Sequence, residues 1–529
     1  MTKYIFITGG VISGLGKGVA SASIGAILQM LGETNITVKK LDPYLNVDAG
    51  TMNPIEHGEV FVTDDGSETD LDLGYYERFL EIITTNRNSA SSGKLYQKLI
   101  QKERSGDYLG KTVQMIPHFT NIIKEFISYN EGDLDYILCE IGGTVGDIEA
   151  SAFFEALRQF KNDVGSQNVL FIHLTYLLFL PATNELKTKP TQNTIRDLQQ
   201  VGIVPDVLIC RSEIPISLTI KEKLSLHTNL PIQNIISAVN AHSIYQVPLN
   251  FISEGLHLIL SDKMNIQNPI NTIKWRQLNH KLLNLTIPLK IGIVGKYTEL
   301  NDSYKSILES IYHAGIYHNC KINVDWINSR VHGESTYEGI DGVLIPGGFG
   351  DTGIENMISL IQIAREKNLP TFGICLGMQL MVIEYCRNIL CMEHAGSEEF
   401  GTFHPNVISK MKQWSSKDYG GTMRLGKTEI TINESSKAFD IYGKNKIHER
   451  HRHRYDVNDK YLTELESKGL KIVGRCSDHN LVEVVEMDEK IHPWFIGCQY
   501  HPEFQSSPFN PHPLFVSFIN RSIHQSQLK

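Results

Sequence analysis

The sequence predicts an α/β fold in two parts, a P-loop-like, doubly wound parallel sheet in the first half and a second α/β unit after it. Short apolar runs rich in β-branched residues alternate with longer helical patterns over residues 1–265 and again from residue 289. Runs that are apolar on both faces are typical of buried parallel strands. Their alternation with helices is typical of a doubly wound sheet.

Three parts of the chain follow from this pattern. Residues 1–265 form the first predicted domain, with strands at Tyr4–Thr8, Ile36–Leu41, Tyr136–Glu140, Val169–Leu174, Val207–Cys210 and Asn234–Ala238 and helices that include Ala20–Leu31 and Pro117–Ser128. Residues 266–288 are polar, bracketed by prolines and helical in their middle, which predicts a linker. Residues 289–525 form the second predicted domain, with strands at Leu289–Val294, Gly342–Ile345 and Thr371–Ile374 and a β-rich end.

Composition narrows the class of protein. The 529 residues include 50 Lys and Arg and 59 Asp and Glu, and the net charge of -9 argues against a chain-wide surface for nucleic acid or anionic lipid. The longest apolar stretch, Val169–Leu180, is interrupted by His173 and Thr175 and is shorter than the ~18 residues that a membrane span needs. Eight cysteines without a C-x-x-C pair indicate a reducing compartment, so we expect a cytoplasmic enzyme.

A glycine-rich loop, GGVISGLGKG, joins the first predicted strand to the following helix. Its backbone N–H groups and the helix N-terminus favour phosphate, and Lys17 adds a cation. The loop departs from the P-loop pattern because Val11 replaces the first glycine and Gly18 replaces the hydroxyl residue that binds magnesium. An ordinary glycine-rich turn between a strand and a helix is the alternative.

If Gly18 cannot bind magnesium, carboxylates must, because Mg²⁺ takes one or two carboxylates beside substrate phosphates. The candidates are Asp70 and Asp72 of ETDLDLG, expected on one face of an extended segment, and Glu140. Glu140 ends a predicted parallel strand, and the carboxyl ends of such strands border the crevice where ligands bind. A solvated turn is the alternative for Asp70.

Two basic segments carry no complete motif. KTKPTQ, residues 187–192, has two lysines that suit a second polyphosphate, or it is an ordinary basic loop. In ERHRHRYDV, residues 449–457, a strand would place Arg450, Arg452 and Arg454 on one face and the two histidines on the other. Interleaved arginines do not suit a metal, so this stretch predicts a site for a carboxylate or an interdomain contact.

A cysteine occupies a predicted strand–turn–helix in the second half. FGICLGMQL places Cys375 between Gly373 and Gly377, the pattern of a nucleophile on a tight turn at a helix N-terminus. The helix dipole there favours thiolate. Upstream, LIPGGFG places Gly347 and Gly348 after a strand, where their N–H groups can receive an oxyanion.

A histidine and a glutamate complete this pattern. CQYHPEF places His501 and Glu503 on one face of an expected extended segment. A neutral imidazole there can take the proton of the thiol, and the carboxylate can fix its tautomer. A lone cysteine is usually a buried small hydrophobe and a lone H-x-E is usually on the surface, but their joint occurrence favours a catalytic triad.

These motifs resemble the CTP synthase family, glutamine amidotransferases with a Cys-His-Glu triad. The resemblance runs through essentially the whole chain, on SGLGKG, KLDPY, GTMNPIEHGEVFV, ETDLDLG, ERSGDYLG, EIGGTVGDIE, KTKPTQ, PGGFG, GICLGMQL, GTMRLG, ERHRHR and QYHPEF. It implies that ATP phosphorylates the uracil 4-oxygen of UTP and that ammonia from glutamine displaces this phosphate to give CTP. It further implies Mg²⁺, GTP as allosteric activator, CTP as feedback inhibitor, and a homotetramer; whether filaments form stays open.

The resemblance also assigns residues. It assigns ATP to Ser13, Gly14, Leu15, Gly16, Lys17, Gly18, Val19 and Asp72, with Lys40 nearby, and magnesium to Asp72 and Glu140. It assigns the pyrimidine nucleotide to Ser13, Asp147, Ile148, Glu149, Lys187, Thr188, Lys189, Pro190, Thr191, Gln192 and Lys223. It assigns glutamine to Gly348, Leu376, Gly377, Met378, Gln379, Glu399 and Arg454, and catalysis to Cys375, His501 and Glu503. His57 falls at the family's ammonia passage, whereas residues 236–245 match the adenine region only loosely and receive no assignment.

Two other functions fit parts of the pattern. Another glutamine amidotransferase could aminate a carboxylate or a purine, but KTKPTQ and GTVGDIE disfavour it. A filament-forming scaffold without activity would keep the fold. The complete set of Cys375, His501 and Glu503, together with Lys17, Asp72 and Glu140, argues against such a loss.

Overall fold

The computed structural model describes residues 2–129, 134–329, 336–411 and 420–528. The chain divides into two compact units, one formed by residues 1–49 and 72–280 and the other by residues 50–71 and 281–529. Residues 50–71 therefore belong with the second unit, although most of the chain around them forms the first. The domain limits 1–265, 266–288 and 289–525 stay a prediction. They did not anticipate that residues 50–71 group with the second unit, because this short segment does not interrupt the alternation of strands and helices in the sequence.

The helices and strands of the first half follow in chain order. They are β1 (Lys3–Gly9), α1 (Lys17–Met30), β2 (Ile36–Asp42), α2 (Pro54–His57), β3 (Phe61–Val62), β4 (Glu68–Thr69), α3 (Asp72–Leu80), β5 (Ser89–Ser91), α4 (Ser92–Arg104), α5 (Thr120–Ser128), β6 (Tyr136–Ile141), α6 (Ser151–Val164), β7 (Val169–Tyr176), β8 (Leu178–Leu180), β9 (Glu185–Lys187), α7 (Lys189–Gln200), β10 (Val207–Ser212), α8 (Leu218–Thr228), β11 (Ile235–Val239), α9 (Val247–Ser253), α10 (Leu256–Met264) and α11 (Ile273–Leu283).

A seven-stranded parallel sheet forms the centre of the first unit, with strand order β11-β10-β7-β1-β6-β2-β5. β1, β6 and β7 are almost wholly buried, which agrees with their apolar sequences. Phe6 and Phe171 pack with α5 and α6 in one core. Because β1, β2 and β6 are adjacent and parallel, the loops that follow them meet at one edge of the sheet.

The elements of the second half are β12 (Ile287–Gly295), α12 (Lys305–Tyr317), β13 (Cys320–Asn328), β14 (Gly342–Ile345), α13 (Ile354–Glu366), β15 (Thr371–Ile374), α14 (Leu376–Asn388), β16 (Gly396–Ser397), β17 (Asn406–Lys410), β18 (Arg424–Ile432), α15 (Lys437–Tyr442), β19 (Lys446–His453), β20 (Tyr455–Val457), α16 (Leu462–Ser467), β21 (Leu470–Cys476), β22 (Val482–Met487), β23 (Phe495–Cys498) and α17 (Pro513–Gln527).

The second unit is built on a nine-stranded mixed sheet with strand order β13-β12-β14-β15-β23-β22-β21-β18-β19. The strands from β13 to β23 in that order pair in parallel, and the pairs from β23 to β19 are antiparallel. α13 and α14 pack in one core, and α12 and α17 pack in another. β15 lies between β14 and β23, so its carboxyl end adjoins the segments that follow both neighbours.

The predicted α/β class and each strand named from the sequence are confirmed, with boundaries that differ by up to two residues. One local prediction is wrong, because Asp72 is the first residue of α3 rather than part of an extended segment. The helix predicted over Pro117–Ser128 is confirmed, since a wide helical turn over Met115–Phe119, kinked at Ile116, leads directly into α5. Within the described ranges, no helix combines the length and apolar character needed to cross a membrane.

Candidate functional site

Cys375 lies on a strained turn between β15 and α14. Its φ of 53° is in the left-handed region, which a residue with a side chain seldom adopts. A Cβ at Gly373 would lie 2.3 Å from the sulfur of Met381, and one at Gly377 would lie 2.1 Å from the carbonyl oxygen of Ile345. Only glycine fits at these two positions, so the spacing that predicted the turn has a steric cause.

His501 and Glu503 form a buried pair beside this turn. Nδ1 of His501 lies 2.7 Å from Oε1 of Glu503. The residues after His501 form a 3₁₀ turn, Pro502–Gln505, and the expected extended segment is therefore wrong. Burial lowers the pKa of His501, but Glu503 and Cys375 raise it by more, to about 10. This shift favours an imidazolium that faces the sulfur at neutral pH, whereas the neutral base expected from the sequence stays a prediction.

The loop after β14 passes directly over this pair. A Cβ at Gly347 would lie 3.0 Å from Cε1 of His501 and 3.6 Å from Cβ of Cys375. A cavity of about 70 Å³ lies between this loop, Cys375 and His501, and Pro54, Glu59 and Val60 of residues 50–71 also line it. This volume exceeds the ~10–15 Å³ that one water molecule occupies, so it can hold several molecules of that size. Among the described residues that line it, His57 is absent.

Lys296 binds the backbone of the same loop, a role that was not predicted from the sequence. Its ammonium donates to the carbonyl oxygens of Phe349, at 3.2 Å, and of Gly350. The N–H of Gly350 donates to Oε1 of Glu399 at 2.9 Å. Burial lowers the pKa of Lys296 to about 8, against the opposing effect of Glu399. The signal that could have revealed Lys296 is its position directly after β12, at the carboxyl end of a parallel strand.

Glu399 and Arg454 offer opposite charges near the loop. Burial raises the pKa of Glu399, and Lys296 and Arg454 oppose this rise. Arg454 donates to Oγ1 of Thr422 at 3.2 Å. A carboxylate and a guanidinium placed in this way suit the amino and carboxylate groups of an amino acid.

The other two arginines of the 449–457 stretch bind carboxylates of residues 50–71. Nε of Arg450 lies 2.6 Å from Oδ1 of Asp64, and Nε of Arg452 lies 2.8 Å from Oε1 of Glu68. The guanidinium of Arg452 also lies over the ring of Phe349, 4.8 Å from its centroid. Arg452 therefore joins residues 50–71 to the loop that covers Cys375, and Arg450 binds the same residues 50–71.

In the first unit, the glycine-rich loop leads into α1. The ammonium of Lys17 donates to the carbonyl oxygen of Gly143 at 2.6 Å, and burial and the charge of Lys40 lower its pKa. A Cβ at Gly18 would lie only 1.9 Å from Oδ1 of Asp72. The carboxylate of Asp72 thus fills the space where a P-loop has its hydroxyl, which explains why this position is glycine.

The two carboxylates predicted to bind magnesium meet at one cation. Oε1 of Glu140 lies 2.8 Å from Nζ of Lys40, and Asp72 contacts the same nitrogen. Tyr76 donates to Oε2 of Glu140 at 2.5 Å. Burial lowers the pKa of Lys40, but Asp72 and Glu140 raise it well above its ordinary value. Asp70, the other candidate, belongs to residues 50–71 and so to the second unit.

The carboxylates around Lys40 fit a divalent cation that takes only one or two of its ligands from the protein. Asp72 and Glu140 reach a common point, and Oδ2 of the buried Asp42 has no hydrogen-bond partner among the described residues. Within those residues no group of three or more histidine, cysteine or acidic side chains could hold a metal ion. One or two carboxylates with phosphate oxygens is the set that Mg²⁺ takes, so the residues fit Mg²⁺ bound together with a nucleotide.

The segment predicted to bind the pyrimidine nucleotide spans β9 and the start of α7. Lys187 lies 2.6 Å from Glu185, and both Lys187 and Lys223 lower the pKa of this carboxyl group, so the two lysines lie at a common place. Oγ1 of Thr191 lies 2.8 Å from Oγ1 of Thr175 on β7, which fixes the start of α7 on the sheet. Residues 147–149 are exposed.

A second cavity, of about 240 Å³, lies beside the glycine-rich loop. Leu15 and Gly16 line it together with Ala238, Asn240 and Phe251. Arg211 donates to the carbonyl oxygen of Leu15 at 3.0 Å and contacts Asn240. Residues 236–245, which received no assignment from the sequence, thus help to form an apolar pocket next to the phosphate loop.

Comparisons with known proteins match both halves of the chain. The family described as "CTP synthase N-terminus" matches residues 3–266, and "Glutamine amidotransferase class-I" matches residues 299–521. The CTP synthase of Hydrogenobaculum sp. is 49% identical over 524 residues, which cover 98% of each chain. The chain belongs to the CTP synthase family. The CTP synthases of Maridesulfovibrio salexigens, 50% identical over 98% of each chain, and Roseobacter denitrificans, 48% identical over 100% of each, agree with this assignment.

The charge on His501 can be tested within this CTP synthase family site. Glu503→Gln removes the carboxylate that raises the pKa of His501, so this pKa should fall from about 10 toward its ordinary value. The rate at which iodoacetamide alkylates Cys375 should then drop near neutral pH, because the imidazolium that stabilises thiolate is lost. Glu449→Gln is the matched control, because Glu449 is also buried but contacts His512. An unchanged pH profile for Glu503→Gln would contradict the proposed charge state.

Proposed function

We propose that this chain forms CTP from UTP, with energy from ATP and nitrogen from glutamine. One observation carries the proposal. A single chain of the CTP synthase family has a cysteine turn beside the His501–Glu503 pair and a phosphate loop beside the carboxylates of Asp72 and Glu140. The cysteine turn suits the release of ammonia from an amide, and the phosphate loop suits transfer of a phosphoryl group. The assay that tests the proposal measures CTP formed from UTP, ATP and glutamine.

The glutaminase reaction belongs to Cys375, His501 and Glu503. The thiolate of Cys375 attacks the amide carbon of glutamine, and N–H groups of the loop that contains Gly348 receive the oxyanion. His501 gives its proton to the leaving nitrogen, so that ammonia departs and a thioester remains. Water then hydrolyses the thioester to glutamate and restores the thiolate. Glu399 binds the amino group of glutamine, Arg454 binds its carboxylate, and residues 376–379 contact its side chain.

The synthetase reaction belongs to the first unit. Residues 13–19 bind the phosphates of ATP, and Lys17 and Lys40 supply cations for the transferred phosphoryl group. Asp72 and Glu140 would hold Mg²⁺, which would neutralise phosphate charge there. The 4-oxygen of uracil takes the γ-phosphoryl group of ATP, and ADP leaves. Ammonia then attacks carbon 4, the bond from this carbon to the phosphorylated oxygen breaks, and phosphate and a proton are released.

The two nucleotides occupy different places in this proposal. The apolar pocket formed by Ala238 and Phe251 beside Leu15 takes the adenine of ATP, because it adjoins the loop that binds the phosphates. Ser13, residues 147–149, residues 187–192 and Lys223 bind UTP. The lysines at Glu185 support this part, since they supply the cations that a second triphosphate needs.

Family membership supports a proposal for the regulation and assembly of the chain. We propose GTP as an activator, CTP as a feedback inhibitor at the UTP residues, and a homotetramer. A cytoplasmic location is supported by the eight cysteines, all of which are free. Sedimentation with and without nucleotide tests the oligomer, and titration of GTP or CTP into the glutamine-dependent assay tests the regulation.

The two chemistries should separate at Cys375. Cys375→Ala should abolish glutamine-dependent CTP formation but leave ammonia-dependent formation at raised pH, where more of the ammonia is unprotonated and can attack. Cys391→Ala, at the exposed cysteine, is the control and should retain both activities. A soluble Cys375→Ala protein that still used glutamine would contradict the proposal.

Phosphorylation should depend on Glu140. Glu140→Gln removes the charge that pairs with Lys40 and would bind Mg²⁺, so CTP formation should collapse even when ammonia is supplied. Glutamine hydrolysis should persist, because its residues lie in the other unit. Glu125→Gln, which changes an exposed carboxylate of the same unit, should have no effect. Near-normal ammonia-dependent activity of Glu140→Gln would show that the metal assignment is wrong.

The nucleotide sites can be distinguished by a pair of variants. Ala238→Leu fills the apolar pocket and should raise the concentration of ATP needed for half-maximal activity without raising that of UTP. Lys187→Ala removes a cation from the other place and should raise the UTP requirement far more than the ATP requirement. Each variant is the control of the other. The reverse pattern in the two titrations would mean that the nucleotides are assigned to the wrong sites.

A further inference from the structure

Gln499 is a buried amide in contact with the nucleophile. It directly follows β23, and its Nε2 lies 3.5 Å from Sγ of Cys375. It is fully buried, and Cys375 and Gln379 are 5% and 3% exposed. A buried side chain that touches the reacting sulfur can alter the chemistry of that sulfur, and the triad does not account for it.

The orientation of this amide follows from its neighbours. Nε2 of Gln379 lies 2.9 Å from the carbonyl oxygen of Tyr455, which can only accept, so the NH₂ group of Gln379 must face it. The same NH₂ group lies 3.1 Å from Oε1 of Gln499. Since the oxygen of Gln499 accepts from Gln379, its own NH₂ group must face Cys375. A backbone carbonyl thus determines that Gln499 is a donor to sulfur.

The backbone holds Gln499 in this place. The N–H of Cys375 donates to the carbonyl oxygen of Cys498 at 2.7 Å, and the N–H of Gln499 donates to that of Glu483 at 2.9 Å. These bonds continue the pairing of the central strands and fix the separation of the two side chains. The distance from amide to sulfur is therefore set by the sheet before any substrate binds.

A second hydrogen bond of the sulfur, to a backbone carbonyl oxygen, favours the thiol over the thiolate. Sγ of Cys375 lies 3.7 Å from the carbonyl oxygen of Arg452, to which a thiol can donate but a thiolate cannot. Loss of the thiol proton removes that bond and leaves an acceptor beside a negative sulfur. An amide donor opposes this effect, because a hydrogen bond to the charged form favours that form.

We propose that Gln499 is a catalytic residue of the glutaminase reaction, whose side-chain NH₂ group donates to Sγ of Cys375 and stabilises the thiolate before attack. The inference rests on the proposed function and deepens it. The titratable groups near the sulfur are His501, Glu503 and Cys498. His501 stabilises the thiolate by charge, whereas Gln499 stabilises it by a neutral donor from a neighbouring strand end.

Three variants of the full-length chain test this role. Gln499→Leu removes the donor and keeps an apolar side chain of similar size. Gln499→Glu keeps an oxygen that accepts from Gln379 but replaces the donor to sulfur with a carboxylate. Gln505→Leu is the matched control, because it removes an amide from the same segment whose contacts are with His448 and Glu449.

The measurement is the rate of alkylation of Cys375 by iodoacetamide from about pH 6 to pH 9, followed on its own peptide by mass spectrometry. At neutral pH we expect alkylation about tenfold slower in Gln499→Leu and slower still in Gln499→Glu at the alkaline end, with midpoints displaced to higher pH. Gln505→Leu should match the unaltered chain. Glutamine hydrolysis should fall in the same order, and ammonia-dependent CTP formation should not change.

The order of the two variants decides between the roles of Gln499. If it served only to orient Gln379, Gln499→Glu would be the milder change, and alkylation faster in Gln499→Glu than in Gln499→Leu would overturn the proposal. Loss of ammonia-dependent CTP formation together with alkylation would also overturn it, since the effect would then be on folding. If the unaltered chain formed no CTP from glutamine or ammonia, the proposed function would fail, but the alkylation order would still test Gln499.

Discussion

Both proposed reaction sites depend on one constraint. A charged side chain that is buried there must be paired with an opposite charge. Lys40 lies against Glu140 and Asp72 in the first unit, and His501 lies against Glu503 in the second. Burial of an unpaired ion is strongly unfavourable, so each member of such a pair stays charged only while its partner is present. The pairs therefore determine the protonation states of their groups more than solvent does. In the second unit, this effect raises the pKa of His501 to about 10, which supports its proposed role as proton donor to the leaving nitrogen.

The backbone supplies the second constraint, because it must let charged side chains approach closely. Gly18 gives room to the carboxylate of Asp72, and Gly377 gives room to the carbonyl of Ile345 under the cysteine turn. A methyl group at Gly18 would displace Asp72, and one at Gly377 would displace the turn that carries Cys375. The departure of the glycine-rich loop from the P-loop pattern is thus coupled to a residue more than fifty positions later in the chain. Compared with the P-loop pattern, the glycine at position 18 and the carboxylate of Asp72 depend on each other, because a side chain at position 18 would occupy the space of this carboxylate.

The sequence predicts the elements of this fold well and their partners poorly. Strands such as Tyr136–Ile141 and the turn at Cys375 carry local signals, namely apolar runs and a fixed glycine spacing. Lys296 and Gln499 both directly follow a strand, but nothing local indicates what they contact, since their partners are a loop and a side chain distant in sequence. The grouping of residues 50–71 with the second unit has the same origin, because Arg450 and Arg452 bind carboxylates that lie almost four hundred residues earlier. Contacts of this range depend on tertiary structure and cannot be read from periodicity.

Two neighbouring lysines of the first unit have pKa values that are shifted in opposite directions. The pKa of Lys40 is raised well above its ordinary value, because two carboxylates outweigh its burial. The pKa of Lys17 is lowered, because burial and the charge of Lys40 outweigh the effect of the same carboxylates. The surroundings therefore disfavour the charged form of Lys17 but favour that of Lys40. In the proposed reaction, phosphate bound at the glycine-rich loop would place negative charge beside Lys17, so Lys17 would gain more from ATP binding than Lys40.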